Sequence, residues 1–166
     1  MPDRFSEYPQ RVHASTQRPG TVYVRKPGYY AEHDRQPDSS APGAELTLSD
    51  GAIAVFHGEP DEEGLLLRAD ALSPVYELQP GGSPFVPTGL VFIRFLGGTD
   101  VDSRREDIEQ TGYEVAHTLP YASNAAWLRA KSRRIADALT GIPKLEALSG
   151  IENVEPQMLM ESVPRT

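Results

Sequence analysis

The chain of 166 residues contains no cysteine, so it can form no disulfide, no thiolate metal site, no iron–sulfur cluster and no cysteine nucleophile. It also lacks long apolar runs, and its mean hydropathy is -0.43. A membrane-spanning helix needs about 20 consecutive apolar residues. These two absences exclude a transmembrane role and every function class that depends on thiolate chemistry.

Positive charge is scarce, since 16 Lys and Arg residues stand against 24 Asp and Glu residues and the net charge is -8. An acidic surface repels phosphate backbones instead of releasing their counterions, so we expect no nucleic-acid partner. The first residues, Met1 to Tyr8, contain no apolar stretch of the kind that a secretory signal requires. We therefore expect a cytoplasmic protein without a membrane partner.

Recognisable catalytic and metal-binding motifs are missing as well. The four histidines stand far apart and belong to no metal-ligand or hydrolase pattern; they are His13, His33, His57 and His117. The acidic run 59–63 lacks the spacing of a calcium loop, and the glycine pairs at 81–82 and 97–98 belong to no phosphate-binding motif. We therefore predict no enzymatic activity, no metal site and no cofactor.

The composition changes near residue 87. Eleven of the 15 prolines lie before residue 90, and each of them removes a backbone donor and disfavours long helices. Residues 1–86 are predicted to form an irregular, Pro-rich region, in which the Pro- and Gly-rich stretch 27–43 is a flexible or disordered loop. Short strands are predicted at 21–24, 52–56, 65–67 and 74–78.

The second half has clearer periodicity. Strands are predicted at 90–95, 113–117, 125–129 and 151–155, with Pro156 ending the last one. Helices are predicted at 103–111, starting in a capping box of Ser103 and Glu106, and at 135–148, with a break near Gly141 and Pro143. The order β-α-β-β-α-β over 87–157 predicts an α+β fold of the ferredoxin-like type, with two helices on one face of an antiparallel sheet. The other face of the sheet is left uncovered.

Four segments of this half carry a family resemblance. They are P-T-G-L-V-F-I-R-F at 87–95, G-Y-E-V at 112–115, N-A-A-W-L-R-A at 124–130 and L-E-A-L-S-G-I-E-N-V-E-P-Q at 145–157. Read together, they resemble the N-terminal prodomain of subtilisin-like serine proteases (subtilases). The most characteristic piece is the last helix, strand and extended tail, and the resemblance covers about 75 to 80 residues of the chain.

The resemblance implies an inhibitor, and a folding chaperone, that forms a heterodimer with a subtilisin-like serine protease. The open sheet face would pack on surface helices of the protease, and Glu155 would meet a helix N-terminus. Gln157 stands where the family has a second acidic residue. The segment 158–166 would lie extended in the substrate groove by β-augmentation. The residues expected to contact the groove are Met158, Leu159, Met160, Glu161 and Ser162. Because no protease domain follows, we expect a free-standing inhibitor acting in trans.

Other interpretations stay open at this point. The apolar residues 158–160 are also compatible with a frayed terminus or with a segment folded back on the sheet. Trp127 is expected either on the open face or in the core. A second function class is a homodimeric regulatory domain that binds a small molecule at a sheet edge lined by Gly97, Gly98 and Gly112.

Overall fold

The computed structural model describes residues 5–36, 41–60 and 71–161. The chain divides into two compact units. Unit 1 contains residues 1–23 and 88–157, and unit 2 contains residues 24–87 and 158–166. The described residues form an α+β structure with mostly antiparallel strands in two open sheets.

The strands and helices of the described residues follow in chain order. They are β1 Arg11–Ser15, β2 Arg18–Glu32, β3 Ala44–Leu48, β4 Ile53–His57, β5 Leu72–Glu77, β6 Val86–Phe95, α1 Arg105–Gln110, β7 Tyr113–Leu119, β8 Ala122–Ala130, α2 Ile135–Thr140, α3 Ile142–Glu146 and β9 Ile151–Leu159. A 3-10 helix, Val101–Arg104, precedes α1.

The sheet of unit 1 has the strand order β7-β8-β6-β9. Strand β6 pairs antiparallel with β8, with Val91 opposite Leu128 and Phe92 opposite Trp127. Successive side chains of a strand point to opposite faces of the sheet. Accordingly Val91, Ile93 and Phe95 are fully buried, whereas Phe92 is only half-buried. The helices α1, α2 and α3 contribute buried apolar side chains to the same unit, and these are Ile108, Leu139, Ile142 and Leu145.

The structure confirms the predicted strands and the interrupted second helix of this unit, and it corrects two details. The capping box at Ser103 is wrong, because Ser103 Oγ donates to the carbonyl of Asp100 and helix α1 begins only at Arg105. The end of the last strand at Pro156 is wrong as well, because β9 continues to Leu159. Since β9 is the last strand in its sheet, it tolerates a residue that has no backbone donor.

The second sheet has the strand order β1-β2-β4-β3, with β5 also paired to β2. Within unit 2, β2 runs antiparallel to β4, with Tyr30 opposite Phe56, and β3 runs antiparallel to β4. Aliphatic side chains from all these strands form the buried core of the unit, which consists of Ala31, Leu48, Ile53, Val55, Val75 and Val86. Three partly buried side chains pack against this core: Tyr29, Leu46 and Leu159.

The predicted flexible loop at 27–43 is wrong over its first part. Residues 27–32 belong to β2, which contains a register shift between Arg25 and Tyr30. Gly28 lies there at a φ of 82°, a left-handed conformation that favours glycine. A bulge therefore accommodates the Pro-Gly pair inside a long strand. The predicted strands at 21–24, 52–56 and 74–78 are confirmed within a residue or two by β2, β4 and β5. The predicted strand at 65–67 lies outside the described residues.

A buried polar pair lies in unit 2. His33 Nε2 and Ser73 Oγ are 2.8 Å apart, and both side chains are buried. Burial lowers the pKa of His33 to about 4 from its ordinary value of 6.5, and the nearby Asp34 charge opposes this shift. The folded protein therefore holds His33 neutral, whereas the unfolded chain protonates it below about pH 6.5.

We expect the stabilisation from neutral His33 to be complete above about pH 6.5 and to be lost as the pH falls towards 4. Between pH 7 and pH 4 the wild type should lose about 2 to 3 kcal/mol more of its free energy of unfolding than His33→Gln, which does not titrate. Urea unfolding at a series of pH values measures this difference. Parallel pH profiles for the two proteins would contradict the account.

A tight contact closes the end of α2 in unit 1. Tyr113 is buried, its hydroxyl donates to the carbonyl of Ala138, and burial raises the pKa of Tyr113 well above its usual range. A Cβ added at Gly141 would lie 2.7 Å from Tyr113 Oη. The backbone of Gly141 has a φ of -82°, which any residue can adopt. Glycine is required here by the approach of the tyrosine and not by its backbone conformation.

We expect Gly141→Ala to lower the free energy of unfolding by about 1 to 3 kcal/mol, because the added methyl group overpacks the contact with Tyr113. Gly97→Ala is the matched control, since a Cβ at Gly97 meets no atom within 4 Å. Thermal and urea unfolding of the two variants measure the difference. Equal stability of the two variants would show that Tyr113 moves aside without cost.

Candidate functional site

Two aromatic rings meet on the face of the unit 1 sheet opposite to its buried core residues. Phe92 of β6 and Trp127 of β8 lie directly across from each other, with ring centroids 5.3 Å apart and an angle of 64° between the rings. Both residues are half-buried. Edge-to-face pairs of this kind are favourable beyond the area that they bury. Trp127 is therefore not a fully buried core residue.

Ion pairs flank the two rings. The Arg94 guanidinium lies 5.9 Å from the Phe92 ring centroid, and Arg94 Nε lies 3.2 Å from a carboxylate oxygen of Glu152. Next to Trp127 on β8, Arg129 lies 3.4 Å from Glu114 of the neighbouring strand. We call the set Phe92, Arg94, Glu114, Trp127 and Arg129 the aromatic face. Aromatic and Arg side chains are the types enriched at protein–protein interfaces.

Arg129 has an unusual feature within this face. Its Nε atom is buried and has no hydrogen-bond partner in the part of the chain that the structure describes. Buried donors are nearly always paired, because an unpaired donor costs the free energy of its lost hydration. The guanidinium group therefore has unused hydrogen-bonding capacity next to an aromatic surface, which is typical of a site that a partner completes.

Glu155, one of the predicted protease contacts, lies half-buried in β9 and is held by a short relay of side chains. Asn153 Nδ2 donates to Glu155 Oε1 at 2.9 Å, and Ser15 Oγ donates to Asn153 Oδ1 at 2.7 Å. Ser15 and Asn153 are both buried. Burial together with the charge of Glu155 raises the pKa of Tyr23, and Arg18 opposes this shift. The carboxylate is thus oriented before any partner arrives.

The sequence reasoning did not find Ser15 and Asn153, and no local pattern could have found them. The two residues are 138 positions apart in the chain. The backbone supports the same contact, since Thr16 N donates to the Val154 carbonyl and Val154 N donates to Thr16 Oγ1. The N-terminal residues of unit 1 therefore hold the strand that carries Glu155.

Gln157, the second predicted contact in β9, is already engaged within unit 1. Its Oε1 accepts a hydrogen bond of 2.8 Å from Thr88 Oγ1. A glutamate at this position could accept the same bond, so the amide keeps the contact without its charge. The side chain of Gln157 therefore stabilises the neighbouring start of the segment at Thr88.

The remaining predicted contacts belong to unit 2. Met158 and Leu159 end strand β9, and Leu159 packs against the buried core of the unit. Met160 follows the strand with 49% of its surface exposed, and Glu161 is exposed. Ser162 and the residues after it lie outside the described residues. The structure thus separates the predicted segment into an attached part, 158–159, and an accessible part that starts at Met160.

The histidines and glycines that the sequence analysis considered are not brought together. His33 is buried, His117 is exposed on β7, and His13 Nδ1 lies 3.9 Å from Glu146. No group of three His, Asp or Glu side chains suited to a metal ion occurs among the residues that the structure describes. A pocket of about 260 Å³ adjoins Gly112, and its described lining includes neither Gly97 nor Gly98.

None of the helices within the described ranges is both long enough and apolar enough to cross a membrane. Comparisons with protein-family models, with curated proteins and with solved structures found no match to this chain.

We expect Ser15→Ala to lower the free energy of unfolding by about 1 to 3 kcal/mol, because it leaves the buried Oδ1 of Asn153 without its donor. Ser132→Ala is the matched control, since the Ser132 hydroxyl also bonds a side-chain oxygen, that of Asp137, but is exposed. Urea unfolding of both variants measures the effect. Similar losses in the two variants would show that the relay to Glu155 contributes nothing beyond an ordinary surface bond.

Proposed function

We propose that this chain is a proteinaceous inhibitor of a subtilisin-like serine protease, to which it binds through the aromatic face and through the segment that follows β9. The observation that carries the proposal is the aromatic face itself, where Phe92 and Trp127 lie beside an arginine with an unused buried donor. The resemblance of segments 87–95 and 145–157 to subtilase prodomains supplies the class of partner. The same surfaces would serve a chaperone that assists folding of the protease.

We also infer that unit 1 has the ferredoxin-like arrangement that such prodomains share. The chain order from β6 through α1, β7, β8, α2 and α3 to β9, together with the sheet order β7-β8-β6-β9, supports this inference. In that arrangement both helical segments cover one face of the sheet and leave the other accessible. The aromatic face would be this accessible side.

In the proposed complex the aromatic face packs on surface helices of the protease. A stable complex buries about 1,600 Å² in total, so the face would be one part of a larger contact. Burial of Phe92 and Trp127 would supply apolar area, and Arg129 Nε would find an acceptor on the partner. Glu155, held in place by Asn153, would accept backbone hydrogen bonds at a helix N-terminus, where the dipole favours a carboxylate.

The segment after β9 would enter the substrate groove of the protease. Backbone hydrogen bonds of an added strand would provide affinity, and alternate side chains would fill the subsites. Such a segment inhibits as a product does, because it occupies the subsites without presenting a well-placed scissile bond. Gln157 would have a smaller part, since its acceptor oxygen is already bonded to Thr88.

A second candidate function is a regulatory domain that binds a small molecule as a homodimer. The pocket beside Gly112 favours it, because polar side chains line its wall, among them Ser132, Asp137 and Lys144. This function requires a stable homodimer and a rise in melting temperature with a metabolite. A monomer whose melting temperature is unchanged by metabolites excludes it.

We expect the purified chain to inhibit subtilisin-like proteases at a one-to-one ratio and Glu155→Gln to weaken the inhibition constant about 2- to 30-fold. That range corresponds to about 0.5 to 2 kcal/mol for a carboxylate at a helix terminus. Glu109→Gln, exposed on α1, is the matched control and should inhibit like the wild type. Steady-state assays with a chromogenic peptide give the constants, and quenching of the single tryptophan by acrylamide reports whether Trp127 is covered.

Two results would contradict the proposal. One is the absence of inhibition across a panel of subtilisin-like proteases. The other is inhibition in which Trp127 stays as accessible to quencher as it is in the free protein, because the aromatic face would then not be the contact surface. Equal inhibition by a chain that lacks residues 158–166 would overturn the groove mechanism alone.

A further inference from the structure

Strand β9 ends against the core of unit 2. Leu159 is partly buried and packs on a core built from β2, β3, β4, β5 and the start of β6. The next residue, Met160, has 49% of its surface exposed. The change from a packed to an accessible side chain therefore takes place between two consecutive residues of the segment that is proposed to inhibit the protease.

An apolar side chain inserted into a core restricts the chain next to it. A free terminal segment must lose its conformational freedom when it binds, and this loss reduces affinity. A segment whose first residue is already fixed loses less. Packing of Leu159 thus lowers the entropic cost of binding for the residues that follow, provided that the attachment persists in the complex.

We propose that Leu159 is a positioning residue through which unit 2 holds the start of the inhibitory segment, so that the part entering the protease groove begins at Met160. This inference rests on the proposed function. It assigns a role to unit 2, whose strands lie outside the part of the chain that resembles prodomains. Leu159 then acts through the residues after it and does not itself fill a subsite.

The exposure of the neighbouring side chains supports the division at Met160. A subsite residue must be available to the protease, and Met160 and Glu161 are accessible in the free chain. Leu159 would first have to leave the core of unit 2, which would expose apolar surface there. Filling a subsite with Leu159 would therefore offset one apolar contact by the loss of another.

The test compares Leu159→Ala with Leu46→Ala. Both leucines are partly buried and pack against the same core, so both variants remove the same atoms from unit 2 and should lower the melting temperature similarly. If Leu159 holds the segment in nine of ten molecules or more and the alanine variant in about one of ten, the inhibition constant rises about tenfold. Leu46→Ala should stay within about threefold of the wild type, and Leu159→Met should restore inhibition.

Equal weakening by Leu159→Ala and Leu46→Ala would overturn the proposal, because the effect would then come from the stability of unit 2 alone. Unchanged inhibition by Leu159→Ala would also overturn it. If the wild type inhibits no subtilisin-like protease, the proposed function fails, and this role of Leu159 fails with it.

A second measurement separates anchoring from direct contact with the protease. The chain contains no cysteine, so Leu159→Cys and Met160→Cys each introduce a single thiol. Anchoring requires that the thiol at position 159 reacts with an alkylating reagent at least about tenfold more slowly than the thiol at position 160 in the free protein. In the complex, the thiol at position 159 should stay protected and the thiol at position 160 should become protected. Equal reactivity of the two variants in the free protein would contradict anchoring, independently of any protease.

Discussion

The structure of unit 1 depends on the alternation of side chains along β6. Val91, Ile93 and Phe95 point into the core and are fully buried, and the residues between them, Phe92 and Arg94, point to the other face. A strand has a side-chain period of two, so the same ten-residue segment supplies both the core and the candidate interface. A shift of one residue in its pairing with β8 would expose the core residues and bury Arg94. The register between Phe92 and Trp127 is therefore required for folding and for the proposed function together.

The candidate site contains charged groups in different states of satisfaction. Glu155 receives a hydrogen bond from Asn153, which is itself fixed by Ser15, and this arrangement removes the need to orient the carboxylate during binding. Arg129 pairs with Glu114 while its Nε remains buried without a partner among the described residues. One group is preorganised by its own unit and the other has capacity left for a partner. Both conditions are expected of an interface in which specificity comes from a few polar contacts within an apolar surface.

Unit 2 uses residues that look unsuited to a sheet. Its longest strand, β2, contains Pro27 and Gly28, and a bulge with a left-handed glycine accommodates them. The core of the unit is small and aliphatic, so each apolar side chain packed against it matters for stability. Leu159 is one of these side chains and comes from the far end of the sequence. The fold of unit 2 and the position of residues 158–161 therefore influence each other.

The sequence by itself determined those features that depend on local periodicity. The alternation at 90–95 and the apolar spacing around Ala138 and Leu145 predicted the elements of unit 1, because a strand and a helix each impose a repeat that neighbouring residues must follow. The absence of cysteine excluded whole classes of chemistry by count alone. Only the tertiary structure decided which distant residues meet. Ser15 lies beside Asn153, and Leu159 reaches a core of residues 31–86, since these contacts depend on the path of the whole chain and leave no local repeat in the sequence. The continuation of β9 through Pro156 has the same origin, because a strand tolerates proline according to its place in the sheet.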